Sequence, residues 1–270
     1  MKIVRLFGAF AAAIMVAHST AAAAPRVMSL DSCADQYVLA IAPRDSIVGL
    51  SYRATAQDSY MRGHAAGLPL RRATVENLVA ARPQIVVRHW GGDARLIAAL
   101  ERRGVRTVRI DDAADFPAVR VNIRRVANAL NREAAGEALI GRMDQQLDAA
   151  TAAWKGKRAL YLTPGGYTAG PGTLIDAILK ASGLSNAVSR PFFSPAPLES
   201  LVLAPPRAVV LGFFDLTRAG SDRWGAGRHA ALKRVTTDRT IASLPAAEVG
   251  CPAWFAADAV TQLAKARTAP

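Results

Sequence analysis

The chain has 270 residues, 51% of them hydrophobic, and carries 34 basic against 21 acidic side chains for a formal net charge of +13. That is too apolar for a disordered chain and enough to build one large or two modest domains. Its positive balance leaves three kinds of anionic partner open, nucleic acid, an anionic surface or an acidic ligand, and two cysteines exclude a disulfide-built scaffold.

The opening, "MKIVRLFGAFAAAIMVAHSTAAAAP", has Lys2 and Arg5, an apolar run over residues 6–17 and small residues up to Ala24. This is the pattern of a secretory signal peptide, residues 1–24, cleaved near Ala24. The run is short for a bilayer span, and the first cysteine, Cys33, lies beyond Pro25, out of place for a lipid anchor. The mature chain is expected to be soluble and exported. The arginine pairs Arg71/Arg72, Arg102/Arg103 and Arg124/Arg125 have no interleaved aromatics and read as solvated helix faces, so no nucleic-acid partner is expected.

From Arg26 short β-branched runs alternate with helical patterns. "RVMSL" (26–30), "SIVGL" (46–50), "QIVV" (84–87) and "VRTVRI" (105–110) read as buried strands, with "SCADQYVLAIA", "TVENLVAA" and "GDARLIAALERRG" as helices between them. Such alternation predicts a parallel sheet covered by helices, a first lobe over residues 25–116. Residues 117–154 hold no proline after Pro117. Their apolar residues (Val119, Ile123, Val126, Leu130, Leu139, Met143, Leu147) recur mostly at helical spacing, which predicts one linking helix about 50 Å long. Residues 155–270 resume the alternation with "RALYL", the loop "TPGGYTAGPG", the helix "TLIDAILKASG", "LESLVLA", "RAVVL", a Gly-rich stretch around Trp224, "TIASL" and a last helix from about Phe255. The expected fold is therefore α/β: two Rossmann-like lobes with mainly parallel central sheets, joined by one long helix. A cleft is expected where strand-end loops of the two lobes face each other.

Enzyme signatures fail. "AGPGTLI" has Gly170 and Gly172 but Ile175 where a dinucleotide fingerprint needs a third glycine, and the sequence has no G-x-S-x-G or H-E-x-x-H. His64, His89 and His229 lack metal-ligand spacing. No catalytic residue, resident metal or cofactor is expected. What remains is a set of residues in Gly/Pro-rich loops at predicted strand ends: Tyr52 and Arg53, His89 and Trp90, Tyr167, Phe192 and Phe193, Trp254 and Phe255. Aromatic faces give rigid contact area for a flat or bulky ligand, and Arg53 suits an anionic group. Cys33 and Cys251 fall one in each lobe. Three readings stand for them: separate thiols, a bridge pinning the lobes, or a thiolate on a ligand metal.

One stretch occurs twice. "TVENLVAARPQIVV" (74–87) returns as "APLESLVLAPPRAVV" (196–210), each with a Glu opening a helical run (Glu76, Glu199) and a Pro seven residues on (Pro83, Pro206). Taken singly, each carboxylate would offset its helix dipole, worth about 0.3–1 kcal/mol. Together with "RVMSLDSCADQYVLAIAPRDSIVGLSY" and "GGDARLIAALERRGVRTVRID", the two copies make nearly the whole exported chain resemble the periplasmic solute-binding proteins of the cobalamin and iron-complex type, which feed ABC importers. The resemblance implies two lobes on a rigid helix, small closure movements, and a surface Glu on each lobe pairing with permease arginines. Those positions match Glu76 and Glu199.

The resemblance also implies a metal chelate as cargo. "RHWGGDARLIAALERRGV" and "AWFAADAV" look like segments of cobalamin-binding members, the arginine excess suits an anionic ferric siderophore, and haem is a third ligand, with His89 or a Tyr as axial group. An exported α/β enzyme using the same cleft is the reading from another class. It would need a nucleophile and base within reach of each other.

Overall fold

The computed structural model describes residues 24–150, 154–217 and 230–266. Residues 1–23 of the expected signal peptide (1–24) and the Gly-rich stretch around Trp224 lie outside the described residues. The first lobe runs β1 (Val27–Ser29), α1 (Ser32–Ile41), β2 (Ile47–Ser51), β3 (Leu70–Arg71), α2 (Val75–Ala81), β4 (Ile85–Arg88), α3 (Ala94–Glu101) and β5 (Arg106–Arg109). Its sheet has the order β3-β2-β1-β4-β5, every pair parallel. Central β1 and β4 are near-continuous apolar runs, as strands covered on both faces require. The chain enters mid-sheet, builds toward β3, then crosses to β4. That reversal leaves a crevice beyond the carboxyl ends of β1 and β4, where ligands of open α/β sheets sit.

The second lobe contains β6 (Arg158–Leu162), β7 (Tyr167–Ala169), α6 (Leu174–Ala181), β8 (Ser185–Asn186), β9 (Phe193–Pro195), α7 (Leu198–Leu203), β10 (Ala208–Gly212), α8 (Ala230–Thr236), β11 (Thr240–Leu244), α9 (Ala246–Val249) and α10 (Ala256–Lys265). Here a parallel sheet runs β11-β10-β6-β8, and β7 pairs antiparallel with β9. The fold is thus α/β with parallel sheets in two lobes.

The stretch read as a single linking helix is two helices, α4 (Phe116–Ala129) and α5 (Glu133–Ala149). Asn131 takes a left-handed conformation (φ 55°), which ends the first helix and turns the chain back. The pair is antiparallel. Arg120 bonds Asp144 at 2.6 Å, Arg124 bonds Glu137 at 2.7 Å, and Gly136 leaves no room for a Cβ beside Ala127. Seventeen residues of α5 span about 25 Å, half the length expected of an unbroken rod.

One apolar cluster continues from lobe to lobe through α1, α4, α5 and α10. Tyr37 of α1 meets Trp254 edge-on at 5.5 Å, and Tyr60 stacks on Phe255 at 4.4 Å. Their hydroxyls donate across the same junction: Tyr37 to the Pro252 carbonyl and Tyr60 to Asp258 Oδ2, both at 2.5 Å. Beside them Cys33 and Cys251 are joined by a disulfide, with Cα atoms 5.4 Å apart. Of the three readings of these cysteines, the structure has the bridge. A base made of buried rings and a covalent tie leaves the lobes little freedom to hinge.

Candidate functional site

Between the lobes, above this base, lies a cavity of about 660 Å³. Its first wall is the loop after β4, carrying His89 and Trp90. Gly91 packs so tightly that a Cβ would lie 2.6 Å from the Leu30 carbonyl oxygen, and Gly92 has φ +80°. Asp31 fixes the loop: Oδ2 accepts the amides of His89 (2.7 Å) and Gly91 (2.8 Å), while Oδ1 caps α1 through the Ala34 amide (2.9 Å). One carboxylate therefore joins the ends of β1 and β4 at the sheet's reversal point. The next strand end is held by buried Asp35, which accepts the hydroxyls of Ser29 and Ser51 and the Ser51 amide. Burial pushes its carboxyl up to about 6.

Held this way, Trp90 stays 65% exposed to the cavity, while His89 is buried beside it, ring centres 5.0 Å apart. His89 Nε2 lies 3.0 Å from Asp112 Oδ1, and its Nδ1 is buried without a hydrogen-bond partner.

The opposite wall is built from Phe192, Phe193 and Phe213. Phe192 and Phe213 both adopt left-handed backbone, φ 61° and 66°, a conformation that costs a bulky residue roughly 1–3 kcal/mol and collects at functional sites. Phe192 is locked there by two backbone bonds, its carbonyl accepting from the Gly170 amide and its amide donating to the Pro171 carbonyl, each 2.9 Å. Gly170 must be glycine, since a Cβ would overlap the Arg190 carbonyl oxygen. Gly172 lets the Phe192 ring lie against its backbone. Phe193 pairs with Ala169 in the β7–β9 ribbon. The floor is Gly250 to Pro252, so the disulfide sits directly under the cavity.

Of the nine residues expected to hold ligand, His89, Trp90, Phe192 and Phe193 come together in this cavity. Tyr52 lies outside it, exposed under the Arg72 guanidinium, and Arg53 is ion-paired with Asp58. Tyr167 is exposed on β7 but does not line the cavity. Phe255 is 1% exposed and Trp254 borders a separate recess with Tyr60 and Arg142, because the Cys251 bridge draws this segment down onto α1. Both are packing residues of the base. Phe213, Asp112 and Pro252 also line the cavity and are not among the expected residues, although Phe213 and Asp112 follow the strand-like runs "RAVVL" and "VRTVRI" just as Trp90 follows "QIVV". Among the described residues that line the cavity there is no Arg or Lys.

Glu76 and Glu199 are exposed in the first turns of α2 and α7. Thr74 caps α2, its hydroxyl accepting the Asn77 amide, and bonds from the Glu76 backbone amide and the Thr74 hydroxyl hold the Glu76 carboxyl below its usual range. Among the described residues no helix is long and apolar enough to cross a membrane, and no group of three or more His, Cys, Asp or Glu is placed to hold a metal.

No curated protein is matched by the chain's sequence. Among solved structures it is similar to the periplasmic heme-binding protein RhuT from Roseiflexus sp. RS-1 in apo form, with 23% identity, 89% of this chain and 96% of that one covered, and a TM-score of 0.69. The periplasmic heme-binding protein HutB of Vibrio cholerae has 18% identity, coverage of 89% and 97%, and a TM-score of 0.73. The periplasmic vitamin B12 binding protein BtuF of Vibrio cholerae has 18% identity, coverage of 89% and 95%, and a TM-score of 0.65. At these identities the likeness is one of fold. The family model described as periplasmic binding protein matches residues 27–250, and the chain belongs to that family, whose members hold small ligands for ABC importers.

Proposed function

We propose that the chain captures a metal chelate with a flat macrocycle, cobalamin first, between its lobes and delivers it to an inner-membrane ABC permease. The observation that carries this is the cleft itself: Trp90 on one lobe faces Phe192, Phe193 and Phe213 on the other across about 660 Å³. Aromatic faces on two sides suit stacking on the flat face of a corrin or porphyrin ring. The structures similar in fold include a protein named for vitamin B12 and two named for heme.

On this reading the protein performs no reaction, needs no cofactor of its own and acts as a monomer, the metal arriving inside its cargo. Residues 1–24 are removed on export, in keeping with the periplasmic location of the family. Glu76 and Glu199 are the feet that meet permease arginines. Haem is the second reading, favoured by His89 in the cleft wall, whose Nδ1 has no hydrogen-bond partner and could serve as an axial ligand after a ring rotation.

Titration of the mature protein with cyanocobalamin, haemin, a ferric hydroxamate and a ferric catecholate, read by tryptophan fluorescence, tests the ligand. Saturable quenching through Trp90 is expected with cobalamin. A Soret shift lost in His89→Ala would select haem, and no saturable binding to any of the four would refute a chelate cargo. Docking is tested separately by E76K/E199K, which should abolish transport while leaving ligand affinity intact.

A further inference from the structure

The two feet share more than a carboxylate. From α2 to the loop after it, Glu76, Leu78, Val79 and Pro83 run outward, inward, outward, inward, and Glu199, Leu201, Val202 and Pro206 repeat that pattern from α7 onward. Leu78 and Leu201 are core residues, whereas Val79 is 51% and Val202 55% exposed. Residues three apart on a helix are neighbours on its surface, so each Glu stands beside a solvent-facing valine. These valines do little for the fold. A β-branched residue on an exposed helical face is a weaker helix former than alanine or lysine and leaves apolar area in water. Yet the same acid and valine occur at matching places in both lobes of a chain without any other repeat of this kind.

Relief around the feet differs. Beside Val79, α2 and α3 leave a groove of about 310 Å³, floored by Leu78, Leu96 and Leu100 and bordered by Arg82 and Arg103, which leaves its apolar floor to an uncharged side chain. Beside Val202 the surface protrudes instead, with Leu203 at 86% exposure. We propose that each foot is an acid–valine pair: the permease surface offers it a basic side chain flanked by an apolar one, filling the groove at Val79 and receiving Leu203 at the other lobe. This rests on the docking reading above. The occupant follows from charge complementarity, since two carboxylates standing out on a strongly basic chain select a cationic partner, and from the continuity of valine, groove and carboxylate on one surface.

The test uses the mature protein and the ABC importer that restores uptake with it, held in nanodiscs. Affinity is measured at low salt and at about 0.5 M salt, where exposed ion pairs are screened. V79T/V202T, isosteric and on the surface, should weaken docking on the order of tenfold at both salt concentrations, and L203A should weaken it independently. Melting temperature and ligand affinity should not move in either variant. Wild-type docking by V79T/V202T and L203A, with docking by E76K/E199K lost, would overturn the apolar component and leave electrostatic feet. Wild-type docking by all three variants would remove the docking reading itself.

Discussion

Two groups of aromatic rings divide the molecule's work. At the base, Tyr37, Tyr60, Trp254 and Phe255 interlock across the lobe junction, and the Tyr37 and Tyr60 hydroxyls find partners there. Around the cleft, Trp90, Phe192, Phe193 and Phe213 line open space, and two of them sit on left-handed backbone. Residue type is the same; Tyr37, Trp254 and Phe255 are buried whereas Trp90, Phe192 and Phe193 are exposed, and left-handed backbone occurs only among the cleft rings. The base gains stability from its rings, while the cleft gives up stability to hold apolar surface in water until a ligand covers it.

The largest test of that contrast is truncation at the base. Phe255→Ala empties a fully buried ring site that is fixed by Tyr60 and Trp254 on two sides, and should cost about 3–5 kcal/mol in urea or guanidinium unfolding. Opening the disulfide by Cys33→Ser with Cys251→Ser should cost about 2–4 kcal/mol, seen as a lower thermal midpoint. The bridge joins residues 218 apart in sequence, and Cys251 is part of the cavity floor. Ligand affinity should therefore fall in step with loosening of the lobes, and dithiothreitol on the wild-type protein should reproduce both effects.

At the cleft the expected pattern reverses. Phe192→Ala removes a ring that contacts the Gly172 backbone and otherwise faces the cavity. Ligand affinity should fall on the order of tenfold, while stability changes by less than about 1 kcal/mol. A loss of several kcal/mol in stability would move Phe192 into the base group and break the division.

The sequence carried this division only halfway. Strand ends were legible because buried parallel strands read as short β-branched runs, and of the residues so picked out His89, Trp90, Phe192 and Phe193 line the cavity. Trp254 and Phe255 stand in the loop-like "GCPAWFAAD". Nothing local separates a loop held outward from one drawn inward by a partner 218 residues away in sequence. Strands of two or three residues, such as β3, β8 and β9, escaped for the same reason, since their pairing is supplied by neighbours rather than by their own pattern. The break at Asn131 left no distinct sign, because Asn122 and Asn128 in the same tract stand inside α4 and the apolar spacing continues on either side.

The smallest effect expected lies where the base meets the cleft floor. Glu248 in α9 has one carboxylate oxygen buried without a hydrogen-bond partner, and burial, with Asp258 and Asp215 nearby, pushes its carboxyl up to about 7 from 4.5. Because the folded pKa is the higher one, the folded state holds a proton that the unfolded chain has released. Its contribution to stability is fully present below about pH 4.5 and is lost as pH rises through about 7. Glu248→Gln keeps the neutral form at every pH. Its melting temperature should match that of the wild-type protein at pH 4.5 and exceed it by roughly 1–3 °C at pH 8, the size being limited by partial solvent screening at this half-buried group. Asp258 accepts from Tyr60 and Gln146 and thereby ties α10 to the first lobe and to α5. Relief of charge beside it should accordingly tighten the base without touching the aromatic walls, leaving ligand affinity at pH 8 unchanged. An affinity change in Glu248→Gln would show that the base and the cleft are coupled through the floor and are not separate in function.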